Sequence, residues 1–430
     1  MDIHLPQIAA IYNSAIKISG SKSETNRLLL LRALYPEISL ENISTSDDSD
    51  VMIRALSATE ALLDIHHAGT AMRFLTAYLA IQEEREVTLT GSSRMKQRPI
   101  QVLVDALREL GAEISYEENE GFPPLKIKGK KLQKNQVTLA ANVSSQYISA
   151  LLLIAPKLEN GLQLTLEGEI TSVPYIKMTL DLLHQAGVKT EFIANQITVF
   201  PKANIQQPAT FTIESDWSSA SYYYSIVALS EVGTAITLSR FKSDSLQGDS
   251  ALTEIYKSFG VETTFENNNI TLRKVNYHPS GSEQAKQLSP ERQRIGEAII
   301  NYQLNDTPDI AQTIAVTCFG LGLACHLAGL HTLKIKETDR LTALQNELQK
   351  LGAKVMITYD SLTLEASETI NSNVKIATYN DHRMAMAFAP LALRTSITIE
   401  DAEVVSKSYP NFWNDLKSIG FEIEENLKPD

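Results

Sequence analysis

The segment K-I-K-E-T-D-R-L, which begins at Lys334, places cations and carboxylates side by side directly after a long run without charged residues. A carboxylate between cations can stay ionised or exchange protons, while the cations bind an anionic substrate. Lys336, Glu337 and Arg340 are therefore candidate residues of a reaction centre. Glu337 and Arg340 would face the same side of a helix because of their i, i+3 spacing. A solvated, charged helix start is the alternative interpretation of this segment alone.

A second cluster, S-G-S-K-S-E-T-N-R, ends at Arg27 and precedes the apolar run L-L-L-L-R-A-L. Gly20 permits a tight turn, and Ser23 can cap a helix whose N-terminal amides attract an anion. Lys22 and Arg27 add positive charge. The segment predicts either an anion-binding site or an ordinary capped helix, but not a Walker A loop, which needs a different spacing.

Similar clusters recur where other helix-like runs begin. Gly69 would allow a ligand close to the backbone, Asp309 could cap a charge-free helix, and His382 has no partner at metal-ligand spacing. Each segment alone is explained by capping, packing or a solvated loop. Together they predict a site for multiply anionic ligands, if two lobes direct these helix N-termini and cations at one cleft. The clusters are H-A-G-T-A-M-R-F (67–74), S-S-R-M-K-Q-R-P (92–99), N-V-S-S-Q-Y (142–147), T-S-V-P-Y (171–175), D-T-P-D (306–309), Y-N-D-H-R (379–383) and S-K-S (406–408).

The composition restricts the classes of protein. A chain of 430 residues suggests roughly two to three domains, and its 43% of hydrophobic residues is enough for large cores. A net charge of −12 argues against a surface for nucleic acid or an anionic membrane. Local clusters of Arg and Lys must therefore bind any anionic ligand.

Cysteine usage and the start of the chain favour the cytoplasm. Cys318 and Cys325 lie in an apolar run without metal-ligand spacing, so we expect neither a disulfide framework nor a metal site. Residues 1–4 do not show a basic region followed by an apolar core, so we expect no secretory signal. The charge-free run 310–333 contains several Gly and Thr, which predicts a buried helix, a turn and a strand rather than a membrane span.

One structural unit recurs along the chain: an amphipathic helix, a glycine stop, and two strands joined by a turn. Asn267–Asn269 and Asn195–Gln196 predict hairpin turns between such strands. The repeat predicts an α/β or α+β fold of about six similar units in two lobes, with a lobe boundary near residue 214. The glycines, which tolerate positive φ after a helix, are Gly111, Gly187, Gly260, Gly352 and Gly420.

The chain's motifs resemble, in order, those of the 5-enolpyruvylshikimate-3-phosphate synthases (3-phosphoshikimate 1-carboxyvinyltransferases), which are enolpyruvyl transferases. The motifs are S-K-S-E-T-N-R (21–27), A-G-T-A-M-R (68–73), Q-R-P (97–99), S-S-Q-Y (144–147), D-W-S-S-A-S-Y (216–222), K-E-T-D-R-L (336–341) and Y-N-D-H-R-M-A-M (379–386). The resemblance implies a two-lobed α/β (α+β) fold of six βαβαββ-type units around buried parallel helices. Residues 1–19 and 215–430 would form lobe one, residues 20–214 would form lobe two, and the active site would lie in the cleft between them.

The resemblance also implies the reaction. The enolpyruvyl group of phosphoenolpyruvate would be transferred to the 5-hydroxyl of shikimate 3-phosphate by addition–elimination, giving 5-enolpyruvylshikimate 3-phosphate and phosphate in the shikimate pathway to chorismate and the aromatic amino acids. No cofactor or metal is implied, and we expect a cytoplasmic monomer that binds these two small molecules rather than nucleic acid or a membrane. Shikimate 3-phosphate would be bound by Lys22, Ser23, Arg27, Ser144, Ser145, Gln146, Ser172, Tyr175, Asp309 and Lys336. Phosphoenolpyruvate would be bound by Lys22, Gly69, Arg98, Gln146, Arg340, Arg383 and Lys407.

Three residues are assigned to proton transfer. The methylene carbon of phosphoenolpyruvate must gain a proton while the 5-hydroxyl loses one, and cations must stabilise the phosphate and carboxylate throughout. We assign Glu337 to the methylene and Asp309 to the 5-hydroxyl, with Lys22 as a third candidate proton carrier.

The chain departs from the family's pattern at single residues and in two segments. His67 replaces the usual Asn and Phe74 replaces a common Pro, so we expect altered sensitivity to the inhibitor glyphosate. Thr332 replaces another common Asn. Residues 51–69 are shorter than the usual first unit and are predicted to lack its strand pair, whereas residues 277–292 are enlarged.

Three other functions remain open from the sequence alone. A sister transferase that uses UDP-N-acetylglucosamine commonly has a Cys in the loop matching residues 92–98, and this chain has none there. A non-catalytic binding protein on the same scaffold would have no need of the proton carriers Asp309, Glu337 and Lys22. An RNA-end-processing relative conflicts with the acidic chain.

Overall fold

The structure, a computed structural model, describes residues 1–140, 144–168, 170, 173–205, 209–276 and 300–426. The chain divides into two compact units, of which the first comprises Met1–Ile18 and Ser215–Asp430 and the second comprises Ser19–Glu214. Ser172, which was expected to bind shikimate 3-phosphate, and the segment 277–292 lie outside the described residues.

After β1 (Asp2–Leu5) and β2 (Ser14–Ile16) of the first unit, the chain enters the second unit. Its helices are α1 (Lys22–Leu34), α2 (Asp47–Ser57), α3 (Gly69–Ala80), α4 (Gln101–Leu110), α5 (Ser145–Ile154) and α6 (Val173–Gln185). Its strands are β3 (Ile38–Glu41), β4 (Leu62–Asp64), β5 (Glu86–Thr90), β6 (Glu113–Tyr116), β7 (Leu125–Lys128), β8 (Gln136–Ala140), β9 (Leu162–Glu167), β10 (Thr190–Ile193), β11 (Gln196–Val199) and β12 (Ala209–Thr212).

The chain then returns to the first unit. The further helices there are α7 (Trp217–Leu229), α8 (Leu252–Ile255), α9 (Ala311–Gly320), α10 (Arg340–Lys350), α11 (His382–Phe388) and α12 (Phe412–Ser418). The strands are β13 (Ala235–Ser239), β14 (Val261–Glu266), β15 (Asn269–Lys274), β16 (Ile300–Gln303), β17 (Cys325–Ala328), β18 (Val355–Ile357), β19 (Leu362–Leu364), β20 (Val374–Ile376), β21 (Ile397–Ile399) and β22 (Glu424–Asn426).

One pattern of strand pairing recurs in five sheets of the described chain. The first unit has four-stranded sheets ordered β2-β13-β15-β14, β16-β17-β19-β18 and β20-β21-β1-β22, and the second has β4-β5-β7-β6 and β8-β9-β11-β10. In each sheet the first two strands are parallel and the other pairings are antiparallel. This recurrence confirms the repeated unit that the sequence predicts.

The remaining sheet of the second unit contains only the parallel strands β3 and β12. After β3 the chain forms α2 and continues to β4 of the next sheet, so within the described residues no antiparallel pair completes this unit. The prediction of a shortened first unit is therefore confirmed.

Three helices pack together in each unit with little exposure: α1, α3 and α5 in the second, and α7, α9 and α11 in the first. Every residue of α3, α9 and α11 is buried. Their residues are mostly apolar or small, which suits a helix with no solvent-facing stripe. Within the described ranges, no helix is long and apolar enough to cross a membrane.

Turn conformations follow the sequence closely. The five glycines that follow helices all have positive φ, between 71° and 109°. Asn267 (φ 52°) and Asn268 (φ 58°) join β14 to β15, so the predicted turn is present, although Asn269 is already the first residue of β15. The other hairpin turn lies one residue earlier than predicted, at Ala194 and Asn195, because Gln196 already pairs with Ile193 in the sheet.

Candidate active site

The N-terminus of α10 organises the charged cluster of the first unit. Arg340 is the first residue of this helix, and the carboxylate of Asp339 caps it by accepting a hydrogen bond from the amide of Thr342 at 3.2 Å. Glu337 therefore precedes the helix. Its contact with Arg340 comes from the turn before α10 and not from the helical spacing that the sequence suggested.

The buried side chain of Arg340 binds three carboxylates. Nε donates to Oδ2 of Asp381 at 2.6 Å, Nη1 to Oδ1 of Asp309 at 2.8 Å, and Nη2 to Oε2 of Glu337 at 2.7 Å. Burial alone would lower the pKa of Arg340, but the three carboxylates raise it above its ordinary value. Arg340 therefore stays charged and fixes the two carboxylates predicted to be catalytic relative to each other.

Cations surround Asp309, which lies in a 3-10 turn, Pro308–Ile310, and does not cap α9. Besides Arg340, its carboxylate oxygens lie 3.4 Å from Nζ of Lys336 and 3.3 Å from Nη2 of Arg383. Burial would raise the pKa of Asp309, but Arg383, Lys336 and Arg340 together hold it well below its usual range. Burial lowers the pKa of Lys336 even though Asp309 opposes the shift.

Arg383 and Lys407 complete the cluster from two further elements. Arg383 lies in the first turn of α11, where Nη1 donates to the backbone oxygen of Asp309 at 3.0 Å. Lys407 is the last residue of a 3-10 helix, and its Nζ lies 3.8 Å from Oε1 of Glu337. The predicted residues Asp309, Lys336, Glu337, Arg340, Arg383 and Lys407 therefore lie together.

Two buried carboxylates of this cluster were not predicted from the sequence. Asp381 lies in the motif Y-N-D-H-R and caps α11. Its position in a motif already considered for the site could have identified it. Asp249 accepts hydrogen bonds from the hydroxyls of Ser218 and Thr307, and burial raises its pKa. Nothing in the sequence around Asp249 distinguished it from an ordinary loop residue.

In the second unit, Arg27 is buried between α5 and α6. Its Nε donates to the hydroxyl of Thr179 at 2.8 Å and its Nη2 to that of Ser149 at 2.9 Å. Its guanidinium carbon lies 5.5 Å from the ring centre of Phe74 and 5.9 Å from that of Tyr175. Burial lowers the pKa of Arg27 to about 10, which leaves it charged at neutral pH.

Lys22 is the first residue of α1 and pairs with a buried acid. The cap of α1 is Ser21, not Ser23 as predicted, because the Ser21 hydroxyl accepts from an amide in the first turn. Nζ of Lys22 lies 3.2 Å from Oδ2 of Asp48, and Oδ1 of the same carboxylate lies 3.9 Å from Nε2 of His67. The unusual His67 therefore contacts the partner of Lys22, a contact not predicted from the sequence. The expected change in glyphosate sensitivity stays a prediction.

Arg98 lies against the start of α3. A Cβ added to Gly69 would stand 2.5 Å from Nη1 of Arg98. The guanidinium can therefore lie against the start of α3 only because residue 69 has no side chain. The residue is 9% exposed, and its Nε is buried without a hydrogen-bond partner among the described residues. A buried cation with an unused donor is suited to an anionic ligand.

The start of α5 lies beside that of α3. Ser144 caps α5 by accepting from the amide of Gln146, and Nε2 of Gln146 donates to the hydroxyl of Thr70 at 3.2 Å. Ser145 is buried in the first turn of α5. The second unit thus brings Gly69, Arg98 and Gln146 together, and separately places Lys22 and Arg27 on α1.

In the part of the chain that is described, no group of three or more His, Cys, Asp or Glu is arranged to hold a metal ion.

Comparison with known proteins decides the family. Residues 53–416 match the EPSP synthase (3-phosphoshikimate 1-carboxyvinyltransferase) family. The 3-phosphoshikimate 1-carboxyvinyltransferase of Bacteroides fragilis (strain YCH46) is 46% identical over 416 residues, which cover 96% of each chain. The chain belongs to the EPSP synthase family. The enzyme of the same name from Colwellia psychrerythraea is 34% identical over 95% of this chain and 97% of its own.

A solved structure supports the fold of this EPSP synthase family member. The EPSP synthase of Acinetobacter baumannii superposes with a TM-score of 0.76 over 98% of this chain and 99% of its own, at 21% identity. The resemblance stated from the motifs is therefore confirmed, and with it the two-lobed enolpyruvyl-transferase fold. The reaction is the family's transfer of an enolpyruvyl (carboxyvinyl) group to shikimate 3-phosphate in the shikimate pathway.

Proposed function

We propose that two groups of residues, one in each unit, carry out the transfer from phosphoenolpyruvate to the 5-hydroxyl of shikimate 3-phosphate. The observation that carries this proposal is the attachment of both Asp309 and Glu337 to Arg340, beside Lys336 and Arg383. Cations alone would be sufficient to bind an anion. Two carboxylates held among them also provide groups that can exchange protons with a bound substrate.

Half of the residues proposed to bind shikimate 3-phosphate belong to the first turns of α1 and α5 or directly precede α5. Support comes from the charge of the buried Arg27 and from Tyr175, whose ring lies over that guanidinium and can line the shikimate ring of the substrate. Hydroxyls at a helix N-terminus and the amides beside them are suited to a phosphate group. The proposed ligands are Lys22, Ser23, Arg27, Ser144, Ser145, Gln146, Ser172, Tyr175, Asp309 and Lys336.

Phosphoenolpyruvate is proposed to bind to the arginines and lysines of both groups. Each charge-assisted hydrogen bond to its phosphate or carboxylate contributes roughly 1.5–3 kcal/mol. Arg98, with its unused buried donor, and Arg340, which stays charged, are the strongest candidates. The proposed ligands are Lys22, Gly69, Arg98, Gln146, Arg340, Arg383 and Lys407.

The proposed mechanism moves two protons. Glu337, in its protonated form, gives a proton to the methylene carbon while the 5-hydroxyl adds to the neighbouring carbon and releases its proton to Asp309. The tetrahedral intermediate then carries both the phosphate and the new ether oxygen on one carbon. Phosphate leaves and takes up the proton that Asp309 holds, while the methyl group returns a proton to Glu337, which restores the double bond. Lys22 is the third candidate proton carrier.

The acceptor is tested by measuring phosphate release from phosphoenolpyruvate with either shikimate 3-phosphate or UDP-N-acetylglucosamine. Release with shikimate 3-phosphate alone is the expected result. Release with the nucleotide sugar alone would overturn the acceptor assignment. No release with either, from folded protein, would favour a binding protein whose shortened first unit has removed the activity.

Replacing Gly69 by Ala is expected to weaken phosphoenolpyruvate binding selectively. The new Cβ would stand 2.5 Å from Nη1 of Arg98 and must displace the guanidinium. We expect KM for phosphoenolpyruvate to rise roughly tenfold, the factor for one lost charge-assisted hydrogen bond, with KM for shikimate 3-phosphate nearly unchanged. Steady-state kinetics with each substrate varied in turn measures both constants. An unchanged KM for phosphoenolpyruvate would remove Arg98 from that site.

The two small molecules are proposed to be the chain's only partners, and the chain is proposed to act as a monomer in the cytoplasm. A net charge of −12 offers no general attraction to nucleic acid or to an anionic membrane. The cations that the proposal uses are instead grouped locally, as around Asp309 and Glu337 in the first unit.

A further inference from the structure

The turn before α11 has an unusual backbone. Tyr379 (φ 54°) and Asn380 (φ 55°) are both left-handed, and the amide of Asp381 donates to the oxygen of Thr378 at 2.8 Å. Positive φ at both central residues is typical of a turn built from Gly, Asn or Asp. This chain uses Asn267 and Asn268 for the same pair of conformations. A tyrosine at the first position is strained, so something outside the turn must hold it there.

That turn determines where two residues of the charged cluster lie. Asp381 is fully buried; its Oδ2 accepts from Nε of Arg340 at 2.6 Å, and its Oδ1 accepts from the amide of Arg383 at 2.9 Å. A change in the turn would move Asp381, and with it the side chain of Arg340 and the start of α11.

Glu347 is the group that holds the turn. It is fully buried, although it carries a carboxylate. Its Oε1 accepts from the hydroxyl of Tyr379 at 2.6 Å, and its Oε2 accepts from the amide of Ala377 at 3.1 Å and from Nζ of Lys350 at 2.7 Å. Both carboxylate oxygens are thus used, and two of the three bonds go to the segment that forms the turn.

Glu347 and Arg340 lie on the same helix, α10, two turns apart and on one face. Arg340 binds the end of the turn through Asp381, while Glu347 binds its beginning through Ala377 and Tyr379. One rigid helix therefore holds the turn at both ends.

We propose that Glu347 and Tyr379 are positioning residues for Arg340, Asp381 and Arg383. The bond between the Tyr379 hydroxyl and the buried Glu347 carboxylate keeps the turn left-handed, and the turn sets the arginines for the anionic substrate. This inference rests on the proposed function, in which Arg340 and Arg383 bind phosphoenolpyruvate.

The test compares Tyr379→Phe with Tyr379→Asn. Both variants lack the hydroxyl, but Asn adopts positive φ readily whereas Phe does not. We expect kcat/KM for phosphoenolpyruvate to fall roughly tenfold in Tyr379→Phe, the factor for one hydrogen bond. In Tyr379→Asn we expect kcat/KM to be close to that of wild type. KM for shikimate 3-phosphate should change less. Tyr359→Phe, at a tyrosine that is 70% exposed, is the matched control and should behave as wild type.

A purely stabilising role would lower the melting temperature of both Tyr379 variants and leave kcat/KM of the folded protein unchanged. Wild-type kcat/KM in Tyr379→Phe, or equal losses in the two variants, would overturn the proposal. If Tyr379→Phe does not fold, near-wild-type kcat/KM in Tyr379→Asn supports the proposal and a large loss contradicts it. An inactive wild-type protein would instead overturn the proposed function and this inference with it.

Discussion

The Asp309→Asn variant is expected to lose most of its turnover while keeping its affinity for phosphoenolpyruvate. An amide cannot take the proton of the 5-hydroxyl, so kcat should fall by a factor on the order of 10²–10⁴. The same change removes the negative charge that Lys336, Arg340 and Arg383 now share. Because those cations would then be less neutralised, KM for phosphoenolpyruvate should stay constant or fall.

Asp339→Asn is the matched control for this experiment. Asp339 is a carboxylate close in sequence to the cluster, but it caps α10, and Asn caps helices about equally well. Its kcat should equal that of wild type. Melting curves of both variants show whether each is folded under the assay conditions. Near-normal turnover of folded Asp309→Asn would exclude Asp309 as the base.

The Glu337→Gln variant is expected to lose a comparable share of its turnover, but because the proton donor to the methylene carbon is missing. Gln can still accept the hydrogen bond that Nη2 of Arg340 donates at 2.7 Å, so the cluster should keep its shape. It cannot give a proton to the methylene carbon, and kcat should fall by a factor on the order of 10²–10⁴. The dissociation constant of each substrate, measured by calorimetry, should change by less than about tenfold.

Glu337→Asp distinguishes proton transfer from a role in binding. Asp keeps the acid but shortens the side chain, so partial activity is expected where Gln has almost none. Turnover of Glu337→Gln near that of wild type would contradict the assignment of Glu337 to the methylene.

The sequence predicted the repeated units because their signals are local. Apolar periodicity and the glycines at 111, 187, 260, 352 and 420 each depend on a few neighbouring residues, and all five glycines have the expected positive φ. The absence of a strand pair after β3 was also predicted, since that segment is too short to contain one.

The sequence could not predict which side chains the buried acids contact. Asp48 and Asp249 are distant in the chain from Lys22 and Thr307, and only the fold brings each pair together. Local competition explains the smaller errors. Both Ser21 and Ser23 can cap a helix, and Ser21 does so because α1 begins one residue before Ser23. Glu337 contacts Arg340 from outside the helix, a geometry that residue spacing alone does not reveal.

The most direct test of proton transfer at the methylene is to run the reaction in D₂O and measure deuterium in the enolpyruvyl group of the product by mass spectrometry. Delivery of an exchangeable proton to the methylene makes a methyl group that contains deuterium, and part of that deuterium stays when the double bond is restored. Product and phosphoenolpyruvate incubated in D₂O without enzyme are the control. Deuterium in the product methylene is the predicted result. Product without deuterium above the control would show that no methyl intermediate forms and would contradict the role of Glu337.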